Sequence, residues 1–162
     1  MQIAPIFATL VASAAGFYSS SDDWVAIHHV LNTYPLAIDG KNFALLSHVF
    51  TQDVVANYNT GVGVLQGLGA VEAGLQESLA PVSTQHAFTT TVIDIHGQTA
   101  NSTTYYTASH FGHGVYEGAV LYAYGKYFDD LVQMEEVWRI QNRTLIYMGP
   151  LIGNQSIFFG PG

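Results

Sequence analysis

The chain has 162 residues, enough for one domain and hardly for two. Its residues are 49% hydrophobic and 13% aromatic, so it can bury a core, and the low hydrophobicity that disorder requires is absent. Four Lys and Arg face twelve Asp and Glu, a formal charge of −8, which argues against nucleic acid and against an anionic membrane surface as partners. The absence of Cys excludes disulfides, thiolate zinc sites and cysteine nucleophiles.

Residues 1–16 read MQIAPIFATLVASAAG. Positions 3–12 are mostly apolar, and Ala12-Ser13-Ala14 has the small-x-small form of a signal-peptidase site, although no basic residue precedes it. A cleaved leader is the expectation, with an N-terminal arm as the alternative. The stretch is too short to span a membrane, and no later run of about 18 apolar residues follows. The sequons at Asn101, Asn142 and Asn154 agree with a secreted or secretory-pathway protein; without cleavage the protein would be cytoplasmic.

The domain proper is expected over residues 20–156, with a short tail at 157–162. Ser19-Ser20-Ser21 offers N-caps, and Asp22 and Asp23 suit the first turn of a helix. Ile27, Leu31, Tyr34 and Ile38 recur on one helical face, Pro35 should kink it, and Gly40 should end it. A short helix over 42–50 and a strand over 53–59 follow. Residues 68–79 read as a helix with Val71, Leu75 and Leu79 inward, closed by Pro81. The pattern then turns to long strands over 84–95, 103–111, 119–129 and 136–148. Helices first and antiparallel strands after predict an α+β domain, with helices covering one face of a curved sheet. Such a cone leaves a pocket at its open end, apolar with a few convergent polar groups.

Several residues are candidates for that pocket. Asp39 ends the first helix, where a carboxylate meets the unfavourable end of the helix dipole. It is either an exposed residue before a turn glycine or a functional group faced by a cation or imidazole. Alternation places His86, Phe88, Thr90 and Val92 on one strand face, so His86 is a core histidine or a pocket acid–base. Tyr106, Ala108 and His110 share a face, and small Ala108 leaves room for a ligand. Tyr58 continues the inward set of Val54 and Ala56, and Tyr34 offers a second phenol. Tyr122 and Tyr124 read as core aromatics with hydroxyls at the rim. Glu135-Glu136 reads as a solvated hairpin end. His28-His29 and the His110–His113 spacing do not make metal pairs, so no metal is expected. No phosphate-binding loop, dinucleotide fingerprint or serine elbow is present.

The joint order of these residues resembles the scytalone dehydratase group of the NTF2-like, or SnoaL-like, superfamily. Carrying the resemblance are Tyr34 and Asp39 at the end of helix one, Asn57-Tyr58, Thr84-Gln85-His86, and His110 on the next strand. The segments GKYFDDLV from Gly125, VWRI from Val137 and YMGP from Tyr147 add to it. The resemblance spans about residues 22–154. It implies a cone-shaped α+β barrel, often a homo-dimer or homo-trimer, with no cofactor and a small hydrophobic metabolite as ligand. It further implies that Asp39 orients His110 as general base and acid, that His86 assists the leaving hydroxyl, and that Tyr58 polarises a carbonyl. Ile38 stands where scytalone dehydratase has the tyrosine before its Asp; the Tyr34–Asp39 spacing is closer to bile-acid dehydratases. The expected function is dehydration of a β-hydroxy carbonyl or polyketide-like compound. An isomerase or cyclase, and a non-catalytic secreted binding protein, are the alternatives.

Overall fold

A computed structural model describes the backbone of residues 15–59 and 61–159 and the side chains of residues 22–59 and 61–158. Helix α1 (Ala15–Asp39) and a 3-10 helix (Phe43–His48) come first, then strands β1 (Phe50–Asn57) and β2 (Val64–Gln66) and helix α2 (Leu68–Leu79). Four long strands follow: β3 (Val82–His96), β4 (Thr99–Gly112), β5 (Val120–Met134) and β6 (Val137–Tyr147). A 3-10 turn (Gly114–Tyr116) joins β4 to β5, and β7 (Ile152–Gly153) and α3 (Ser156–Phe159) end the described chain.

The sheet order is β2-β1-β6-β5-β4-β3, with β7 added beside β5. All pairs are antiparallel except β1 with β6, so the sheet is mixed. The helices pack on its inner face. Ile27, Leu31, Tyr34 and Ile38 of α1 and Val71, Leu75 and Leu79 of α2 are buried there, as their spacing requires. Each buried aliphatic side chain contributes about 1.5–3 kcal/mol toward offsetting the ordering cost of the helices.

The structure departs from the expected elements at identifiable places. Helix α1 is already formed at Ala15, ahead of the capping serines, and it continues through Pro35. Residues 1–14 of the expected leader lie outside the described residues. Strand β1 starts at Phe50, and β2 was not expected at all; three residues carry too little pattern to read. In β3 a register shift between Phe88 and Thr91 reverses the alternation. His86 and Phe88 face inward before it, and Ile93 and Ile95 pack on the core after it, so Val92 points outward instead of sharing the His86 face. Tyr122 and Tyr124 are not core residues: they stand half-exposed on the outer face of β5, opposite in phase to buried Leu121 and Ala123.

The hairpin between β5 and β6 is a two-residue turn, with Met134 paired to Val137. Glu135 and Glu136 are exposed there, both with positive φ (49° and 64°). Among the described residues no helix is long and apolar enough to cross a membrane.

Candidate active site

Asp39 is the last residue of α1, and its carboxylate reaches β3, the terminal strand of the main sheet order. A terminal strand has outward N–H groups with no neighbouring strand to accept them. The His86 N–H is one of these, and it donates to Asp39 Oδ2 at 2.8 Å. The His86 ring lies close by, with Nδ1 2.7 Å from Asp39 Oδ1, and the Thr84 hydroxyl donates to the same Oδ1 at 2.8 Å. Three donors thus surround the carboxylate at the helix end where the dipole disfavours it. Burial pushes the Asp39 pKa up, but the His86 ring, the His86 N–H and the Thr84 hydroxyl outweigh burial and hold it below the ordinary value. A carboxylate can only accept, so Nδ1 of His86 carries a proton, and in the neutral form of the ring Nε2 is the acceptor. This is the arrangement of an oriented general base.

His110 occupies the next strand, nearly buried, with its ring 5.9 Å from the His86 ring and edge-on to it. Its Nδ1 lies 3.1 Å from the Leu121 carbonyl, which fixes the proton on Nδ1 and leaves Nε2 as an acceptor. Burial lowers the His110 pKa to about 4, the Leu121 carbonyl opposing only part of the shift. His110 is therefore a neutral acceptor near pH 7.

The expected pairing of Asp39 with His110 is corrected by this geometry: Asp39 orients His86. The reason is strand order. Asp39 meets β3 first, and the cross-strand neighbour of His110 is Thr84, which already occupies Asp39 Oδ1.

His86 and His110 line a cavity of about 90 Å³ together with Tyr34, Tyr58, Tyr106, Tyr127 and Tyr147. Ile38, Leu75, Leu79, Ala108, Ala123 and Leu145 supply its apolar walls. Tyr34 and Tyr58 therefore lie where they were expected, and Ala108 lines the space beside His110. The Tyr58 hydroxyl is buried beside Tyr34 with no hydrogen-bond partner of acceptable geometry. Burial raises the pKa of Tyr34, Tyr58, Tyr106 and Tyr127, so all four remain neutral phenols. Phe158 of α3 packs edge-on against His110, with ring centroids 5.1 Å apart.

One charged group behind this cavity was missed in the sequence. Arg143 on β6 is fully buried and paired with Asp129 on β5, Nε to Oδ1 and Nη2 to Oδ2 both at 2.7 Å. Its guanidinium lies 4.2 Å from the centroids of both the Tyr34 and Tyr127 rings. Burial opposes its charge, but the Asp129 carboxylate prevails and keeps it a cation. Nη1 of Arg143 is left buried without a hydrogen-bond partner of acceptable geometry. The readable signal was the phase of the strands: Asp129 falls between inward Tyr127 and Leu131, and Arg143 precedes inward Leu145 by two.

A larger open groove of about 410 Å³ lies elsewhere, lined by residues including His29, His48, Glu136 and Arg139. It shares no lining residue with the cavity and holds no hydrogen-bonded acid–base pair. Among the described residues no group of three or more His, Asp or Glu is placed to hold a metal ion.

Helices covering a curled mixed sheet around a His- and Tyr-lined cavity, with Asp39 behind His86, define an NTF2-like cone. The chain belongs to the SnoaL-like domain family, whose pattern matches residues 19–144. No curated protein matches it by sequence at a significant level. Solved structures do match in fold. The Kfla4162 protein of Kribbella flavida is 21% identical with a TM-score of 0.75, over 85% of this chain and 96% of that one. A provisionally assigned scytalone dehydratase from Novosphingobium aromaticivorans is 21% identical with a TM-score of 0.75, over 86% and 92%. The type 2 hexachlorocyclohexane dehydrochlorinase LinA is 14% identical with a TM-score of 0.75, over 88% and 95%. At these identities the likeness establishes the shared fold, and the chemistry has to be argued from the site.

Proposed function

We propose that this protein is a carbon–oxygen lyase that removes water from a small, largely apolar β-hydroxy carbonyl compound by acid–base catalysis. The observation that carries this reading is the Asp39–His86 pair, 2.7 Å apart at the wall of a tyrosine-lined cavity. The scytalone dehydratase and dehydrochlorinase names of two fold neighbours agree with elimination chemistry.

The cavity is divided between acceptors and donors. His86 Nε2 and His110 Nε2 are acceptors, and the phenols are donors. The substrate carbonyl oxygen would sit against the tyrosine hydroxyls, Tyr58 first because no partner of good geometry holds its hydroxyl. His86 Nε2 takes the α-proton, and the electron pair moves to the carbonyl oxygen as an enolate. A phenol hydrogen bond to that oxygen counts for more in a dry cavity than in water. The enolate then collapses, the β-carbon–oxygen bond breaks, and the imidazolium of His86 returns the proton to the departing hydroxyl. One C–H and one C–O bond are lost, one C=C bond forms, and water leaves. His110, too weak a base to carry a proton at neutral pH, accepts a hydrogen bond from the hydroxyl and aims it at His86. These steps need only the side chains named. The same groups would also serve an isomerase or cyclase, which differs in leaving the product mass unchanged.

Screening β-hydroxy ketones by mass spectrometry tests the reading. Loss of one water, abolished in His86→Gln, supports it. Saturable binding with no turnover of any candidate would place the protein among non-catalytic binders, and a product of unchanged mass would make it an isomerase.

The apolar leader and the three sequons support export, and Asn101, Asn142 and Asn154 are all exposed. N-terminal sequencing and a glycosidase mobility shift on protein made in a eukaryotic secretory host test this. Tyr122, Tyr124 and Phe128, half-exposed on the outer sheet face, support self-association into a dimer or trimer. A monomer in light scattering at high micromolar concentration would refute it.

A further inference from the structure

We propose that Thr84 is a positioning residue that divides the work between the two histidines: standing across from His110, its hydroxyl helps hold the Asp39 carboxylate on β3, so that Asp39 hydrogen-bonds His86 and not His110. The inference deepens the acid–base reading above and depends on it for its catalytic meaning.

Thr84 and His86 are two residues apart on β3, ahead of the register shift, so the pleat turns both side chains inward. Thr84 is buried and stands directly across from His110 on β4. Its hydroxyl donates to Asp39 Oδ1, the same oxygen that receives the His86 ring, while Oδ2 is held by the His86 N–H. Each carboxylate oxygen is thereby engaged from β3, and the carboxylate has no freedom to turn toward β4. His110 is left with the Leu121 carbonyl as its only hydrogen-bond partner among the described residues. The other charged or titratable groups that act on His110 are His86, Lys41 and Asp39 itself, and Lys41 is tied away to the Leu79 carbonyl at 3.0 Å. A buried valine of the same shape at position 84 would remove one of the three donors to Asp39, leave the carboxylate held by His86 alone, and loosen it so that His110 feels more of its charge.

The test is 15N imidazole NMR of the full chain without ligand, for the wild type, Thr84→Val, Thr84→Ala and Thr84→Ser. In the wild type, both rings are expected with a proton fixed on Nδ1, and the His110 ring is expected neutral near pH 7. In Thr84→Val the His86 signals move toward tautomer averaging and the His110 titration midpoint moves up; Thr84→Ser restores both. Thr84→Ala serves if the valine variant fails to fold, because it fills no new space. On a substrate found by the screen, kcat falls about tenfold in Thr84→Val, the loss of one hydrogen bond to a charged group, with KM unchanged. Wild-type ring signals at both histidines in folded Thr84→Val or Thr84→Ala overturn the proposal. If the ring signals respond as expected but no β-hydroxy ketone is turned over, the positioning role stands and the dehydratase reading fails.

Discussion

His110→Gln should make the protein less sensitive to acid. His110 titrates at about 4 in the folded chain against an ordinary value of 6.5, because burial disfavours its charged form. The unfolded chain therefore binds a proton at a higher pH than the folded chain does. Stability from this group is complete above about pH 6.5 and is lost as pH falls toward 4, where the folded ring also protonates. At pH 4.5 the linkage amounts to about 2.5 kcal/mol, a sizeable share of the 5–15 kcal/mol typical of a domain. Urea unfolding at pH 7.0 and 4.5 measures it. Wild type should lose about 2.5 kcal/mol more than His110→Gln across that interval. Other acid-sensitive groups, Asp39 among them, are common to both proteins and cancel in the difference. Parallel losses would show that His110 is not held neutral by burial, and its assignment as an uncharged acceptor would fall.

Three further outcomes are expected. Asp39→Asn keeps the fold but loses about 10²–10⁴-fold in kcat, because the amide no longer fixes the His86 tautomer; circular dichroism and turnover of the screened substrate measure the two separately. Asp129→Asn leaves Arg143 buried without its counter-charge and destabilises by about 3–5 kcal/mol, read from denaturant midpoints. Replacing Glu135-Glu136 by Asn-Gly relieves two non-glycine residues of positive φ and stabilises by about 1 kcal/mol in the same assay, without change in activity.

The sequence made α2 legible to the residue, because its apolar spacing and Pro81 agree. The long strands were legible as elements but not in their phase. The shift at Phe88–Thr91 reverses which residues face inward, and three consecutive threonines, 89–91, give no hydrophobic contrast by which to see it. His86, His110, Tyr34 and Tyr58 were singled out as polar groups at inward positions and line the cavity, and Asp39 was singled out as a carboxylate at a helix C-terminus. The partner of Asp39 was not, because it depends on strand order. Nothing local to His110 says that Thr84 will lie between it and the helix. Arg143 and Asp129 stayed hidden for a similar reason: each appears as an isolated charge on a strand, and only the β5–β6 register makes them neighbours.

His86, backed by Asp39, moves the proton in this mechanism, and His110 does not. The direct measurement is α-proton exchange of a bound β-hydroxy ketone in D₂O, followed by NMR for the wild type, His86→Gln and His110→Gln. Exchange should fall by about 10²–10⁴-fold in His86→Gln and by no more than about tenfold in His110→Gln. The reverse order would return the role of base to His110 and contradict the account.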